Sequence, residues 1–227
     1  MILGPIIASK SGLSGIFSVT AVLALIGMPL VFWGVPNVQQ AAPKGDTLPV
    51  LTSLSKLISN PSLWRLNLGV MILHCLITLV FVQLPIMLSQ HGWPLAEHWS
   101  IYLPVLIASI LGMVVLMGIR RRVSGGNVMR LSIILLAIAC GGLFAFSTDN
   151  LWLLVFVWLF FSGFNYLEAN FPALVSSIAP AGQKGSAMGI YASFQFFGAF
   201  LGGVLSGIIT KYFSPEAVFA ASAIICV

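Results

Sequence analysis

Long apolar runs, separated by short polar segments, make up most of the chain. Six of the runs are long enough to cross a bilayer, which takes about 20 residues of helix. They cover residues 16–35, 63–90, 100–119, 128–147, 151–178 and 186–212. Each run is continuous, whereas the strands of a membrane barrel alternate in segments of about ten residues. The pattern predicts an all-α, polytopic membrane helix bundle.

Shorter segments flank these spans. Residues 1–8 look like the end of a helix, with a Gly/Ser turn expected at 9–15, and the apolar run at 217–227 is too short to span. Residues 36–61 form the longest polar stretch, expected to be a loop with a short amphipathic helix at 51–58. The start of the chain lacks the pattern of a signal peptide. We therefore expect a fragment that begins and ends inside helices.

Composition excludes a soluble domain. Residues are 59% hydrophobic and 7% charged, whereas a soluble domain carries about 25% charge. The net charge of +5 does not indicate nucleic-acid binding, because the basic residues lie at the ends of apolar runs, as in membrane loops. Their asymmetry places the loops at 36–61, 119–130 and 179–185 in the cytoplasm.

Several enzyme and metal signatures are missing or weak. The cysteines Cys75, Cys140 and Cys226 lie in apolar segments without metal-ligand spacing, so we expect free thiols and neither a metal site nor a cofactor. The sequence has no P-loop and no HExxH motif. Residues 12–15 match the GxSG pattern of rhomboid-type intramembrane proteases, but Ser14 is expected in an interhelical turn. An intramembrane serine protease is therefore only a remote alternative.

Glu168 is the first candidate for function. It lies within FNYLEAN, about 18 Å along its helix from the loop near Pro180. A carboxylate at membrane depth is costly and is usually kept for work on ions, protons or substrates. His74 lies at a similar depth on another helix, counted from Pro61, and a histidine–carboxylate pair can pass a proton near neutral pH. We expect the two side chains to approach each other, with a structural carboxylate and a neutral histidine as the alternative.

The remaining intramembrane polar residues are weaker candidates. Asn165, Tyr191 and Gln195 are expected deep in the membrane, where they could line a cavity, and Asn170 is expected nearer the cytoplasm together with Asn67. For each, the alternative is a hydrogen bond between helices. The last span also carries glycines at small-xxx-small spacing, which favours close helix packing. These pairs are Gly185/Gly189, Gly198/Gly202 and Gly203/Gly207.

Three segments resemble motifs of the major facilitator superfamily. Gly4-Pro5 is similar to the end of the helix 5 motif GPxxGG, although Ala8-Ser9 replace its final glycines. Gly118-Ile119-Arg120-Arg121-Arg122 is similar to the second copy of the family's basic loop motif. The most specific match is FNYLEANFPALVSSIAP followed by KGSAMGIYASFQFFGAFLGG, which resembles helices 10 and 11 of bacterial drug:proton antiporter-like members.

The resemblance implies a twelve-helix transporter with two six-helix halves around a midplane substrate site. Residues 1–35 would end the first half, 36–61 would be the central loop, and 62–227 would form helices 7 to 11 and part of 12. It implies proton-coupled efflux of a small amphipathic molecule across a bacterial inner membrane, with lipid, substrate, protons and the missing first half as partners. Arg120 to Arg122 would anchor topology, contact lipid headgroups and help hold the closed state. The main alternative is a truncated membrane protein that does not transport.

Overall fold

The computed structural model describes residues 3–34, 51–146 and 148–226. Within these residues the secondary structure consists of eight α-helices and one short 3₁₀ turn, Leu95–Glu97. The helices are α1 (Leu3–Gly34), α2 (Leu51–Ser59), α3 (Pro61–Gln90), α4 (Trp99–Arg120), α5 (Gly125–Ala145), α6 (Asn150–Ile178), α7 (Lys184–Tyr212) and α8 (Ala217–Ile225).

The predicted all-α membrane bundle is confirmed. Six helical segments in the described part of the chain are long and apolar enough to cross a bilayer. They are Lys10–Gly34, Pro61–Gln90, Leu95–Arg120, Gly125–Ala145, Asn150–Ile178 and Lys184–Tyr212. Each overlaps one of the six apolar runs. The expected amphipathic helix at 51–58 is present as α2, whereas residues 35–50 of the expected central loop lie outside the described residues.

Local sequence signals set the first residues of two long helices. The side chain of Asn60 caps α3, because its Oδ1 accepts hydrogen bonds from the backbone N–H groups of Ser62 at 2.9 Å and Leu63 at 3.3 Å. Pro61 follows at the first helical position, where its missing N–H has no cost. Asp149 caps α6 in the same way. Both caps satisfy N–H groups that a helix leaves unpaired at its start.

The turn expected at residues 9–15 is reduced to a single glycine. Gly12 has φ 64° and ψ −165°, and it forms a kink that separates two helical segments of α1. This left-handed φ has no steric cost for glycine. Ser14 consequently lies in α1 and not in a loop, which corrects the expectation for the GxSG segment. Its exposed hydroxyl donates to the backbone carbonyl of Ser11 at 3.1 Å, within its own helix.

The core is built around α3 and α6. Helix α7 packs along α3, α4 and α5 pack on α6, and α8 lies against α5 and α3. Helix α1 contacts the 3₁₀ turn and α4, and the most apolar part of its membrane span contains no buried residue. The large residues that are fully buried come mainly from α3 and α6, among them Leu79, Leu84, Phe160 and Tyr166.

One of the three glycine pairs expected to pack makes a close helix contact. A β-carbon on Gly202 would stand 2.5 Å from the backbone oxygen of Cys75, and one on Gly198 would overlap the backbone of Met71. The absence of side chains at these two positions therefore lets α7 lie directly on α3. At Gly185, Gly189, Gly203 and Gly207 a β-carbon would meet nothing within 4 Å. Among the described residues these four glycines therefore make no close helix contact.

Candidate intramembrane polar site

Local helix geometry orients the imidazole of His74 on α3. Helical side chains point back toward the preceding turn, and Nδ1 of His74 lies 3.2 Å from the backbone oxygen of Val70. A ring N–H at Nδ1 donates to that oxygen. Nε2 is then free to interact with the neighbouring helices.

His74 and Glu168 approach each other, as expected. Nε2 of His74 lies 3.8 Å from Oε2 of Glu168, which joins α3 to α6. The side chains are 15% and 35% exposed, so the pair lies at the side of the bundle and not in its centre. It is the one ion-pair contact among the described residues. At 3.8 Å the contact is longer than a hydrogen bond.

Gln195 on α7 completes a three-helix cluster. Its amide Nε2 lies 2.8 Å from Nε2 of His74 and 3.4 Å from Oε1 of Glu168. One amide group therefore contacts both the imidazole and the carboxylate. We call His74, Glu168 and Gln195 the polar triad.

The packing of α7 on α3 explains why Gln195 reaches His74. Gly198 lies one turn after Gln195 and faces Met71, which lies one turn before His74. Because both glycines at this contact lack a side chain, the two helix backbones approach closely enough for the amide to meet the imidazole. The glycine contact and the polar triad are thus parts of one interface.

Two buried oxygen atoms, one of them in the triad, have no hydrogen-bond partner among the residues that the structure describes. They are Oε2 of Glu168 and the hydroxyl of Tyr191, which lies one turn before Gln195 on α7. Tyr191 is 2% exposed. Since buried polar groups usually have a partner, these two oxygens mark a place where a water molecule, a proton or a substrate group could bind.

The hydrogen bonds of Asn165 and Asn170 go to groups outside the triad. Nδ2 of Asn165 donates to the hydroxyl of Ser109 at 2.9 Å, and Nδ2 of Asn170 donates to the backbone of its own helix at Tyr166. The first is a hydrogen bond between α6 and α4. Trp158 makes a second bond between these helices, to the backbone oxygen of Ala108 at 2.9 Å. The contacts of Asn165 correspond to the structural alternative given above.

Arg120 has a partner that its place in the sequence did not indicate. Its guanidinium donates to Oδ1 of Asn170, which connects the end of α4 to α6. Arg121 and Arg122 follow α4 and are exposed. Gly4 and Pro5 lie in the first turn of α1, away from the triad's helices. Of the three arginines, Arg120 is thus the one with a side-chain hydrogen bond to another helix among the described residues.

Three further polar residues are buried inside the bundle: Ser109, Asn67 and Gln83. Ser109 is fully buried and holds Asn165. Asn67 and Gln83 are each 2% exposed, and their side-chain oxygens have no hydrogen-bond partner within the described part of the chain. The available signal was a polar residue within an apolar run. That signal gives depth but does not give the neighbouring helix.

The fold and the polar triad define a class of protein. A multi-pass helix bundle that holds a carboxylate, an imidazole and an amide together at membrane depth is typical of membrane transport proteins. The Major Facilitator Superfamily matches residues 1–167 and 121–227. The chain belongs to this family of transporters, and it is an integral, multi-pass membrane protein.

Relatives agree with this assignment. The chain is 38% identical over 228 residues to the inner membrane transport protein YajR of Escherichia coli K12, a match over 99% of the chain and 50% of the relative. It is 31% identical over 217 residues to an uncharacterized transporter of Buchnera aphidicola from Schizaphis graminum, covering 95% of the chain and 56% of the relative. The chain spans about half the length of the curated relatives it matches.

Proposed function

We propose that this chain belongs to a secondary active transporter that couples protons to the efflux of a small amphipathic molecule. The observation that supports this most is the contact of Glu168, Gln195 and His74 on three helices. Isolated charges are expensive in a membrane and are usually functional. A carboxylate beside an imidazole can take up and release a proton. The name of the E. coli relative supports a location in a bacterial inner membrane.

The halves of the transporter are assigned as the family layout implies. Residues 62–227 form most of the second half, and 1–35 belong to the first half. Helices α3 to α8 pack on one another, whereas the most apolar part of the α1 membrane span contains no buried residue. An apolar span without a buried side is what a helix from another packing unit would show. Residues 36–61 join the two parts.

Substrate would bind where the halves meet, next to the exposed side of the triad. The partial exposure of Glu168 and the unpartnered hydroxyl of Tyr191 support a binding surface there. In alternating access one half rocks against the other around such a site. Protonation of Glu168 removes its charge and so changes the cost of enclosing the site between the halves.

The bond from Arg120 to Asn170 supports a role for the basic motif in holding the closed state. It fixes the end of α4 to α6 at the side that the positive-inside rule assigns to the cytoplasm. Arg121 and Arg122 remain available to lipid headgroups and to topology.

The test is a transport assay in inverted membrane vesicles. The chain is co-expressed with the first half of YajR, and a pH-sensitive dye reports proton movement when amphipathic compounds are added. Glu168→Gln keeps the shape of the side chain but cannot titrate, and it should abolish substrate-driven proton movement. Glu97→Gln, in the exposed 3₁₀ turn, is the matched control and should leave it intact. Proton coupling that survives Glu168→Gln contradicts the proposal.

A non-transporting membrane fragment is the second candidate. The membrane span of α1, which contains no buried residue in its most apolar part, favours it. The same vesicles distinguish the two functions. Activity with the complementary half and none with the chain alone supports the transporter, whereas inactivity in both supports the fragment.

A further inference from the structure

A half-enclosed cavity lies at the end of the bundle opposite the loops that the positive-inside rule assigns to the cytoplasm. Its volume is about 360 Å³, and pockets that bind small molecules measure about 300–1,000 Å³. Helix α3 and its capping residue, the turn between α5 and α6, and the connection from α7 to α8 form its wall. We call it the outer cavity. The residues that line it are Gln83, Met87, Gln90, His91, Thr148 and Glu216.

One face of α3 supplies the inner wall of the outer cavity. Gln83, Met87 and Gln90 follow the spacing i, i+4 and i+7, which places them on the same side of a helix. Gln83 lies about 10 Å deeper along α3 than Gln90, counted at 1.5 Å per residue. Gln83 and Met87 are 2% and 3% exposed. The inner end of the cavity is therefore enclosed by protein and combines a carboxamide with a thioether.

The side chain of Gln83 has an unused hydrogen-bonding atom. Its Oε1 is buried and has no hydrogen-bond partner among the residues that the structure describes. A buried polar atom without a partner costs free energy, and most such atoms in folded proteins are paired. The amide can turn by 180° with little change of shape, which brings this oxygen to the cavity. A bound group that donates hydrogen bonds would remove the cost.

The other polar groups of the wall favour a ligand that donates hydrogen bonds and carries positive charge. Glu216 precedes α8 without capping it, so the N–H groups of that helix do not occupy its carboxylate. Nδ1 of His91 lies 2.8 Å from the backbone oxygen of Met87, and a ring proton at Nδ1 leaves Nε2 as an acceptor. Among the described residues, those that line the cavity include no lysine or arginine. The wall thus offers several acceptors and one negative charge.

These donor groups fit an organic cation better than a metal ion. The described part of the chain has no group of three His, Cys, Asp or Glu side chains that could hold a metal. The cavity also has roughly twelve times the volume that one water molecule occupies in the liquid. A primary ammonium has three N–H donors, as the side chain of lysine does. The carbon chain of such a cation would have an apolar partner in Met87.

We propose that the outer cavity binds the primary ammonium group of a small organic cation. The ammonium donates to Gln83 and to a second acceptor of the wall, and the charge of Glu216 stabilises it. The site is separate from the polar triad, because Gln83 lies nine residues after His74, about 13.5 Å further along α3. Binding there depends neither on transport nor on proton coupling.

The test follows the methionine methyl signals of the purified chain in lipid nanodiscs while n-butylammonium is added. The nanodiscs contain phosphatidylcholine and phosphatidylglycerol, neither of which has a primary amine. Because Met87 lines the cavity, its ¹³C-methyl signal should shift in a saturable way, and its loss in Met87→Leu identifies it. n-Butanol has a similar shape without the charge and should cause no saturable shift.

Two variants should weaken the binding. Glu216→Gln keeps the shape of the side chain but removes its charge, so the Kd should rise about tenfold or more. Gln83→Leu removes the inner acceptor and should raise the Kd severalfold. Glu97→Gln changes an exposed carboxylate on the same side of the bundle and should leave the Kd unchanged. The methionine spectrum of each variant reports folding, and if Gln83→Leu does not fold, Glu216→Gln decides.

A lipid headgroup is a second source of the same chemistry, since phosphatidylethanolamine carries a primary ammonium at the membrane surface. In nanodiscs that contain this lipid, a Met87 signal shifted before any n-butylammonium is added, and restored by Glu216→Gln, would identify the headgroup as the ligand. A shift that requires the free amine would identify a free cation. Both results support an ammonium site.

Two results overturn the proposal. One is a Met87 signal that shows no saturable shift with n-butylammonium or phosphatidylethanolamine, which would leave water as the occupant of the cavity. The other is a shift that n-butanol reproduces or that Glu216→Gln leaves unchanged. Because the titration needs no transport, either result leaves the proposed function untouched.

Discussion

Gly202 lies so close to Cys75 that a β-carbon at position 202 would stand 2.5 Å from the backbone oxygen of Cys75. One turn earlier, Gly198 makes the same kind of approach to Met71. The contact between α3 and α7 is therefore made by backbone, and it also sets the distance from Gln195 to His74. Helix packing and the polar site depend on the same two glycines.

We expect Gly202→Val to destabilise the bundle strongly. The added atoms have no room against α3, and overpacking typically costs about 1–3 kcal/mol. The measurement is thermal unfolding of the purified chain in detergent, which should begin at a lower temperature. Gly203→Val is the matched control, because a β-carbon at Gly203 meets nothing within 4 Å. Equal losses in both variants would contradict the close contact.

We expect Ser109→Ala to weaken the contact between α4 and α6. Its hydroxyl accepts from Asn165 across the helices, and intramembrane bonds of this kind contribute about 0.6–2 kcal/mol. Ser132→Ala is the control: Ser132 is equally buried, but its hydroxyl donates within its own helix, to Val128. Reversible unfolding in mixed micelles should show a larger loss for Ser109→Ala. The reverse order would show that the interhelical bond does not stabilise the fold.

Arg120 and Asn170 should be energetically coupled. Their hydrogen bond involves a charged donor, but Arg120 is exposed, so solvent reduces the coupling to about 1 kcal/mol. A double-mutant cycle with Arg120→Ala and Asn170→Ala measures it from unfolding free energies. The parallel cycle with Arg122→Ala should give no coupling. A coupling as large for Arg122 as for Arg120 would mean that general charge, and not this bond, is responsible.

Cys140 and Cys226 should form an intramolecular disulfide when the chain is treated with a membrane-permeable oxidant. Cys140 lies on α5 and Cys226 directly follows α8, which packs against α5, so the two thiols are neighbours. All three cysteines are free in the structure. The folded chain is oxidised first and then denatured. A maleimide added at that point should therefore label Cys75 alone. Continued labelling of Cys140 and Cys226 would contradict the placement of α8 against α5.

Part of the polar site could be predicted from the sequence. The sequence indicates Glu168 and His74 because a charged group or an imidazole in an apolar run is rare and costs free energy in the membrane. The number of residues from each helix end places the two at similar depths. Their proximity in the structure agrees with that count. The count could not show that Asn165 faces α4 while Gln195 faces His74, because depth along a helix does not give rotation around it.

The sequence by itself determined the class, the six membrane spans and the depth of the polar groups. These properties depend on the length and composition of apolar runs, because the bilayer requires an apolar helix of a certain length whatever its neighbours are. Only the tertiary structure decided which faces meet. Lipid and protein interior are equally apolar, so an apolar position does not show whether it faces lipid or another helix. Which polar side chains pair is therefore decided by helix rotation and crossing, and these are set by close contacts such as those at Gly198 and Gly202. The pairs are Arg120 with Asn170, Ser109 with Asn165 and Gln195 with His74.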